Sequence, residues 1–209
     1  MIRPEIDRIA RGVPEELRTA RLLLRRWRPS DAVSLQPVLA TNVSHLAPWI
    51  PWRVAEPLDV GPLANRLMEF ATAFDETREW RYGLFALADA AVLGEVSLFP
   101  RNSAGRVALD AADHLEIGYW VRADRTGEGL ATEAARAARD IAAGIAGIRR
   151  ITIHCDERNA ASAAIPKRLG FHLAAVVTEE PSSPERPSVR VQIWEQKIER
   201  SSNSHVDPR

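Results

Sequence analysis

Residues 115–134 read LEIGYWVRADRTGEGLATEA: an apolar strand, a turn holding Gly127 and Gly129, and then the start of a helix. This segment constrains the fold more than any other. Glycines let a turn enter left-handed backbone and let the chain approach a ligand closely. The N–H groups of such a turn, together with the positive end of the helix behind it, form a site for an anion. No Gly-Lys-Ser/Thr triplet follows, so the segment is not a phosphate loop of that kind. It is not the dinucleotide fingerprint either, because the third glycine is missing and the strand comes late in the chain. Taken alone, the two glycines serve a plain strand-to-helix turn equally well.

The hydrophobic pattern on either side predicts a mixed sheet covered by helices. Residues 21–27 (RLLLRRW) are a first strand, and Pro29-Ser30-Asp31 opens a helix with Ser30 as its N-cap. Residues 41–58 read as irregular, with Trp49 and Trp52 set among Pro48, Pro51 and Pro57. Leu63, Leu67, Phe70 and Phe74 recur at helical spacing and predict a helix over 60–76. Residues 81–88 and 92–100 predict an antiparallel hairpin, and 114–121 a further strand. The helix after Gly129 carries Leu130, Ala134, Ala138 and Ile141 on one stripe. A strand over 150–154, a short helix over 159–169 closed by Gly170, and strands over 171–178 and 189–198 complete the pattern, with a Pro/Ser turn at 179–187. Residues 1–18 read as an N-terminal extension with one short helix, 19–200 as the domain, and 201–209 as a disordered tail.

Composition excludes several classes. Lys plus Arg and Asp plus Glu are each 28, so no global basic field argues for nucleic acid. Cys155 is the single cysteine, which rules out an intramolecular disulfide and a cysteine-built zinc cluster. No apolar run approaches a membrane span, and residues 1–11 lack the apolar core of a secretory signal. A cytoplasmic protein with neither membrane nor metal is the expectation.

The glycine segment resembles the cofactor motif of the GNAT (GCN5-related N-acetyltransferase) superfamily, Gln/Arg-x-x-Gly-x-Gly/Ala. Here it reads Thr126-Gly127-Glu128-Gly129-Leu130-Ala131, followed by Thr132. Threonine replaces the usual Gln or Arg, with Arg125 one place earlier. Asn159-Ala160-Ala161-Ser162 and Leu169-Gly170-Phe171 are similar to the family's Asn-x-x-Ser helix and its Leu-Gly-Phe ending. Thr19-Ala20-Arg21-Leu22-Leu23-Leu24-Arg25 and His45-Leu46-Ala47-Pro48-Trp49-Ile50-Pro51-Trp52 resemble the RimJ/RimL-like branch. These four ordered matches cover residues 18 to 199.

The resemblance implies an α/β (α+β) fold with a mixed, mostly antiparallel central sheet, in which the strands at 114–121 and 150–155 splay apart. It implies acetyl-CoA as the cofactor, pantetheine against the backbone near Tyr119, Trp120 and Val121, and direct acyl transfer to a primary amine. The amine belongs to a small molecule or to a protein N-terminus. By the same resemblance Glu116 takes the amine's proton, often through water, Ser162 donates to the departing sulfur, and Asn159 binds the cofactor's amide arm. A homodimer is compatible with it. Duller readings stand beside these. An isolated strand glutamate is usually solvated, Ser162 reads equally as a local cap, and Trp49 and Trp52 either line an acceptor pocket or pack on the sheet. Trp80 reads as core, and Cys155 as buried and inert. Pro166, four residues after Ser162, cannot bond back to the Ser162 carbonyl and predicts a kink there. A CoA-binding sensor without catalysis, or a transferase of another acyl group, remain the alternatives.

Overall fold

The computed structural model describes residues 13–179 and 188–198. The expected short helix near the start, most of the 179–187 turn and the tail lie outside these residues. The elements run β1 (Glu16–Arg18), β2 (Leu22–Arg26), α1 (Ala32–Leu46), α2 (Trp52–Ala55), α3 (Val60–Asp75), β3 (Trp80–Ala86), β4 (Val92–Asn102), β5 (Gly105–Arg106), β6 (His114–Val121), α4 (Leu130–Gly144), β7 (Arg150–Asp156), α5 (Ala160–Arg168), β8 (His172–Glu179) and β9 (Val189–Lys197). The sheet order is β1-β2-β3-β4-β6-β7-β9-β8, with β5 paired to β4. Every described pairing is antiparallel except β6 with β7.

Each face of this sheet carries its own core. Leu115, Ile117, Val121, Ile151 and Ile153 pack under Leu130, Ala134 and Ala138 of α4 and Ala163 and Ile165 of α5. Trp27, Phe85, Val92 and Trp120 pack under Leu35 and Leu39 of α1 and Leu63 and Leu67 of α3. Alternation along the strands assigns these faces, because neighbouring residues of a strand point to opposite sides. The second core holds a buried carboxylate, Glu95, which accepts from Trp27 Nε1 (2.8 Å), Arg81 Nη1 (2.7 Å) and Ser97 Oγ (3.0 Å). Three donors offset the cost of taking that charge out of water. Among the described residues no helix is long and apolar enough to cross a membrane.

Several boundaries differ from the sequence expectation. Glu16–Arg18, inside the expected extension, forms an edge strand on β2. Ser30 does not cap the first helix. Pro29–Asp31 form a 3-10 turn, and the Asp31 carboxylate accepts from the Arg28 N–H (2.8 Å) and from Nη1 and Nη2 of Arg25 (2.7 Å each). The segment expected to be irregular from residue 41 is helical through Leu46, because Leu35, Leu39 and Leu46 keep burying one face beyond Pro37. A single turn, Trp52–Ala55, follows Pro51.

Candidate active site

The parallel pairing of β6 with β7 covers only His114–Ile117 against Arg150–Ile153. Beyond it β6 stays on β4 as far as Val121, and β7 stays on β9 as far as Asp156. The two strands therefore part after Ile117, and a V-shaped gap opens between residues 118–121 and 154–156. A cavity of about 1440 Å³ runs from this gap along the glycine turn. That volume exceeds an ordinary small-molecule pocket and suits an extended ligand.

The glycine turn is built as an anion cradle. Gly127 and Gly129 both have φ of 80°, and Gly129 is the N-cap of α4. Any side chain there would strain the backbone. Among the described residues no acceptor meets the N–H of Gly127, Glu128 or Gly129. The first N–H groups of α4 add to them, since helices leave these unpaired. A phosphate-bearing cofactor fits this donor set. The side chains of the turn are committed to one another. Thr126 Oγ1 donates to the Ala123 carbonyl (2.8 Å), and Arg125 grips the Glu128 carboxylate through two bonds (2.7 and 2.9 Å).

A second arginine braces the cradle from a distance in sequence. Arg21, just before β2, donates Nη1 to the Glu128 carbonyl (2.9 Å) and Nε to Glu133 Oε2 (2.8 Å). Glu133 Oε1 also takes the Thr19 hydroxyl (2.6 Å) and the Arg21 N–H (2.9 Å). Burial pushes the Glu133 carboxyl up, but these donors outweigh it and hold the group below its ordinary value. From the other face α1 pins the strand end. The Asn42 side chain accepts the Ala123 N–H (2.7 Å), and His45 Nε2 lies 3.2 Å from the Val121 carbonyl. The strand end near which pantetheine is expected is thus held by α1 as well.

Tyr119, Trp120, Val121, Arg125 to Thr132, Asn159, Ser162 and Trp49 all border the cavity; Trp52 and Glu116 do not. Trp52 is exposed on α2. Glu116 lies on the opposite face of the sheet from Tyr119, with Arg101 Nη2 at 2.6 Å and His154 Nδ1 at 3.5 Å. Its Oε2 meets Arg101 at contact distance without hydrogen-bond alignment. Burial lowers the His154 pKa, and the Glu116 charge opposes this. His154 thus faces Glu116, while Cys155 turns into the other core, where burial pushes its thiol up. Asn159 caps α5, taking the Ser162 N–H on its side-chain oxygen (3.0 Å). Tyr119 Oη lies 3.1 Å from both the Ser162 carbonyl and Ser162 Oγ. Burial raises the Tyr119 pKa and outweighs the Ser162 contact, so the phenol keeps its proton at neutral pH.

The family pattern described as "Acetyltransferase (GNAT) domain" matches residues 21–172, most of the chain. The chain belongs to the GNAT acetyltransferase family. Among curated relatives of this family, "Probable N-acetyltransferase YjcK" of Bacillus subtilis is 27% identical over 132 residues, 63% of this chain and 65% of that protein. The match thus spans just under two thirds of that relative's length. Two solved acetyltransferase structures share the fold over nearly their whole length. One is RimL, a ribosomal L7/L12 alpha-N-protein acetyltransferase solved with coenzyme A, with TM-score 0.73 and 19% identity over 89% of this chain and 97% of that one. The other is the microcin C7 self-immunity acetyltransferase MccE, solved with acetyl-CoA and AMP, with TM-score 0.74 and 18% identity over 89% and 98%.

The sequence had no signal for Arg21, Glu133 or His154 as site residues, and it placed His45 near the substrate region without a partner. Arg21 and His45 sit inside segments that resemble the family, but their partners lie 112 and 76 residues away.

Proposed function

We propose that this protein is an N-acetyltransferase that moves an acetyl group from acetyl-CoA to a primary amine in a ternary complex. One observation carries the reading: the strand gap, the open N–H groups of the glycine turn and Ser162 share a single cavity. The donor supplies a thioester whose carbonyl carbon the neutral amine attacks. The protein's residues hold the reactants and manage charge. The N–H groups at 127–132 and the positive end of α4 bind the phosphates, and Asn159 at the head of α5 meets the amide arm. Ser162 donates a hydrogen bond to the leaving sulfur, whose negative charge is finally met by the proton the amine gives up. Glu116, which does not border the cavity, takes that proton first through water and gives it up again as the thiolate is protonated.

The acceptor end favours one class of amine. His45, Leu46, Trp49, Ile50 and Trp120 border the cavity there, and no carboxylate stands among them. Among the described residues of the cavity, the carboxylates Glu128, Glu133 and Asp140 belong to the glycine turn and α4, so these five residues offer a polycation no partner. An amine on an apolar or peptide frame, such as a protein N-terminus, fits better. RimL acts on a protein N-terminus, and this chain shares its fold.

Thiol release from acetyl-CoA, measured against a panel of N-terminal peptides, aromatic amines and polyamines, tests the reading. Peptides or aromatic amines should turn over and polyamines should not. Glu116→Gln should lower kcat by about 10²–10⁴-fold, the range of a lost general base. Release with no amine at all, or only with polyamines, would overturn the assignment.

A further inference from the structure

Pro166 stands inside α5, a helix of nine residues, where its ring is buried. In an α-helix the N–H of a residue bonds to the carbonyl four places back. Proline has no N–H, so the Ser162 carbonyl is left without its helical donor. A buried carbonyl seldom stays unpaired. Here a strand supplies the donor: the Tyr119 hydroxyl lies 3.1 Å from the Ser162 carbonyl oxygen. β6 and α5 are thus tied together at the gap, through the residue whose hydroxyl borders the cavity.

We propose that Pro166 is a positioning residue: by denying α5 its own donor, it commits the Ser162 carbonyl to Tyr119, and this tether fixes the Ser162 hydroxyl at the strand gap. The inference rests on the acetyl-transfer reading above, in which Ser162 meets the leaving sulfur. Every backbone group of Ser162 is then spoken for. Its N–H goes to the Asn159 side chain (3.0 Å) and its carbonyl to Tyr119. A phenol has one proton to give. With that proton on the carbonyl, the 3.1 Å contact between Tyr119 Oη and Ser162 Oγ has serine as its donor. The serine proton is thus directed at Tyr119 Oη and is free to turn to the sulfur when the cofactor is bound.

The tether makes a prediction that a merely structural proline does not. Pro166→Ala supplies a helical N–H that competes for the Ser162 carbonyl, so the bond from Tyr119 is weakened. Tyr119→Phe breaks the same link from the other end. Each variant should lower kcat by about tenfold or more while the KM for acetyl-CoA stays within about threefold, the sign of an interaction used in the chemical step. Because both cut one link, the double variant should be no slower than the slower single. Melting should separate them: Pro166→Ala holds or gains stability, and Tyr119→Phe loses it. An active wild type with Pro166→Ala at full kcat, or single losses that multiply in the double variant, would overturn the tether alone. A wild type that turns over no amine would overturn the acetyl-transfer reading and the tether with it.

Discussion

At the scale of single residues, Glu133 matters more than any motif position suggests. It receives the Thr19 hydroxyl, the Arg21 N–H and the Arg21 guanidinium, and Arg21 in turn holds the Glu128 carbonyl of the cradle. Glu133→Gln would set an amide donor against one of these donors. It should cost about 1.5–3 kcal/mol, the usual range for hydrogen bonds to a charged group, and weaken acetyl-CoA binding measured by calorimetry. Its folded pKa is depressed, so its stabilising contribution is complete above the ordinary value of 4.5 and is lost as pH falls through the lowered one. The acid limb of a melting-temperature profile should therefore be shallower in Glu133→Gln. His154 acts at higher pH. Its folded pKa lies below the ordinary 6.5, since burial disfavours the charged ring. As pH falls below 6.5 the unfolded chain takes up the proton first, and stability drops. His154→Gln should flatten that part of the profile. Arg101 and His114 add to the effect of burial, and Glu116 and Glu179 oppose it.

At the scale of elements, the gap depends on two glycines in different ways. Gly94 on β4 faces β6, and a Cβ there would lie 2.0 Å from the Trp120 carbonyl oxygen. Strand against strand cannot relax by turning a side chain, so Gly94→Ala should cost at least the 1–3 kcal/mol or so typical of overpacking. It should also move β6 at the gap. Gly129 is the converse case. A Cβ there meets only Arg21 Nη2 at 3.7 Å, but φ is 80°. Gly129→Ala should cost about 1–2 kcal/mol in folding from backbone strain alone, with a larger loss in acetyl-CoA affinity as the N–H groups turn away. Urea unfolding beside cofactor titration separates the two: Gly94→Ala loses mainly stability, Gly129→Ala mainly affinity. Much of this was legible in the sequence. The strand, turn and helix of 115–144 are contiguous, and their periodicity is strong. The first helix runs further than expected because the cluster of Pro48, Pro51 and Pro57 made residues 41–58 read as irregular, while burial of Leu39 and Leu46 carries the helix to residue 46.

At the scale of the whole molecule, what the sequence hid is long-range. The partners Arg21 with Glu133, His45 with Val121, and Tyr119 with Ser162 are brought together by sheet order, and no local pattern announces them. These same contacts place parts of β6, α1, α4, α5 and the start of β2 around one cavity. Its walls span the two cores, so a ligand there should resist unfolding of both at once. A ligand that binds only the folded state adds about 2.7 kcal/mol at a hundredfold excess over its Kd. In a chain of this size each kcal/mol raises the melting temperature by about 2–4 °C, so saturating acetyl-CoA should give a rise of about 5–10 °C. The rise should come as one transition, because the cavity joins the cores. Gly129→Ala should abolish most of it, and NAD and ATP should give much less. If NAD or ATP matched acetyl-CoA, the cradle would be a general phosphate site and the strand gap would contribute nothing to recognition. A rise confined to the second of two separate transitions would mean that the two cores unfold independently and that the cavity leans on only one of them.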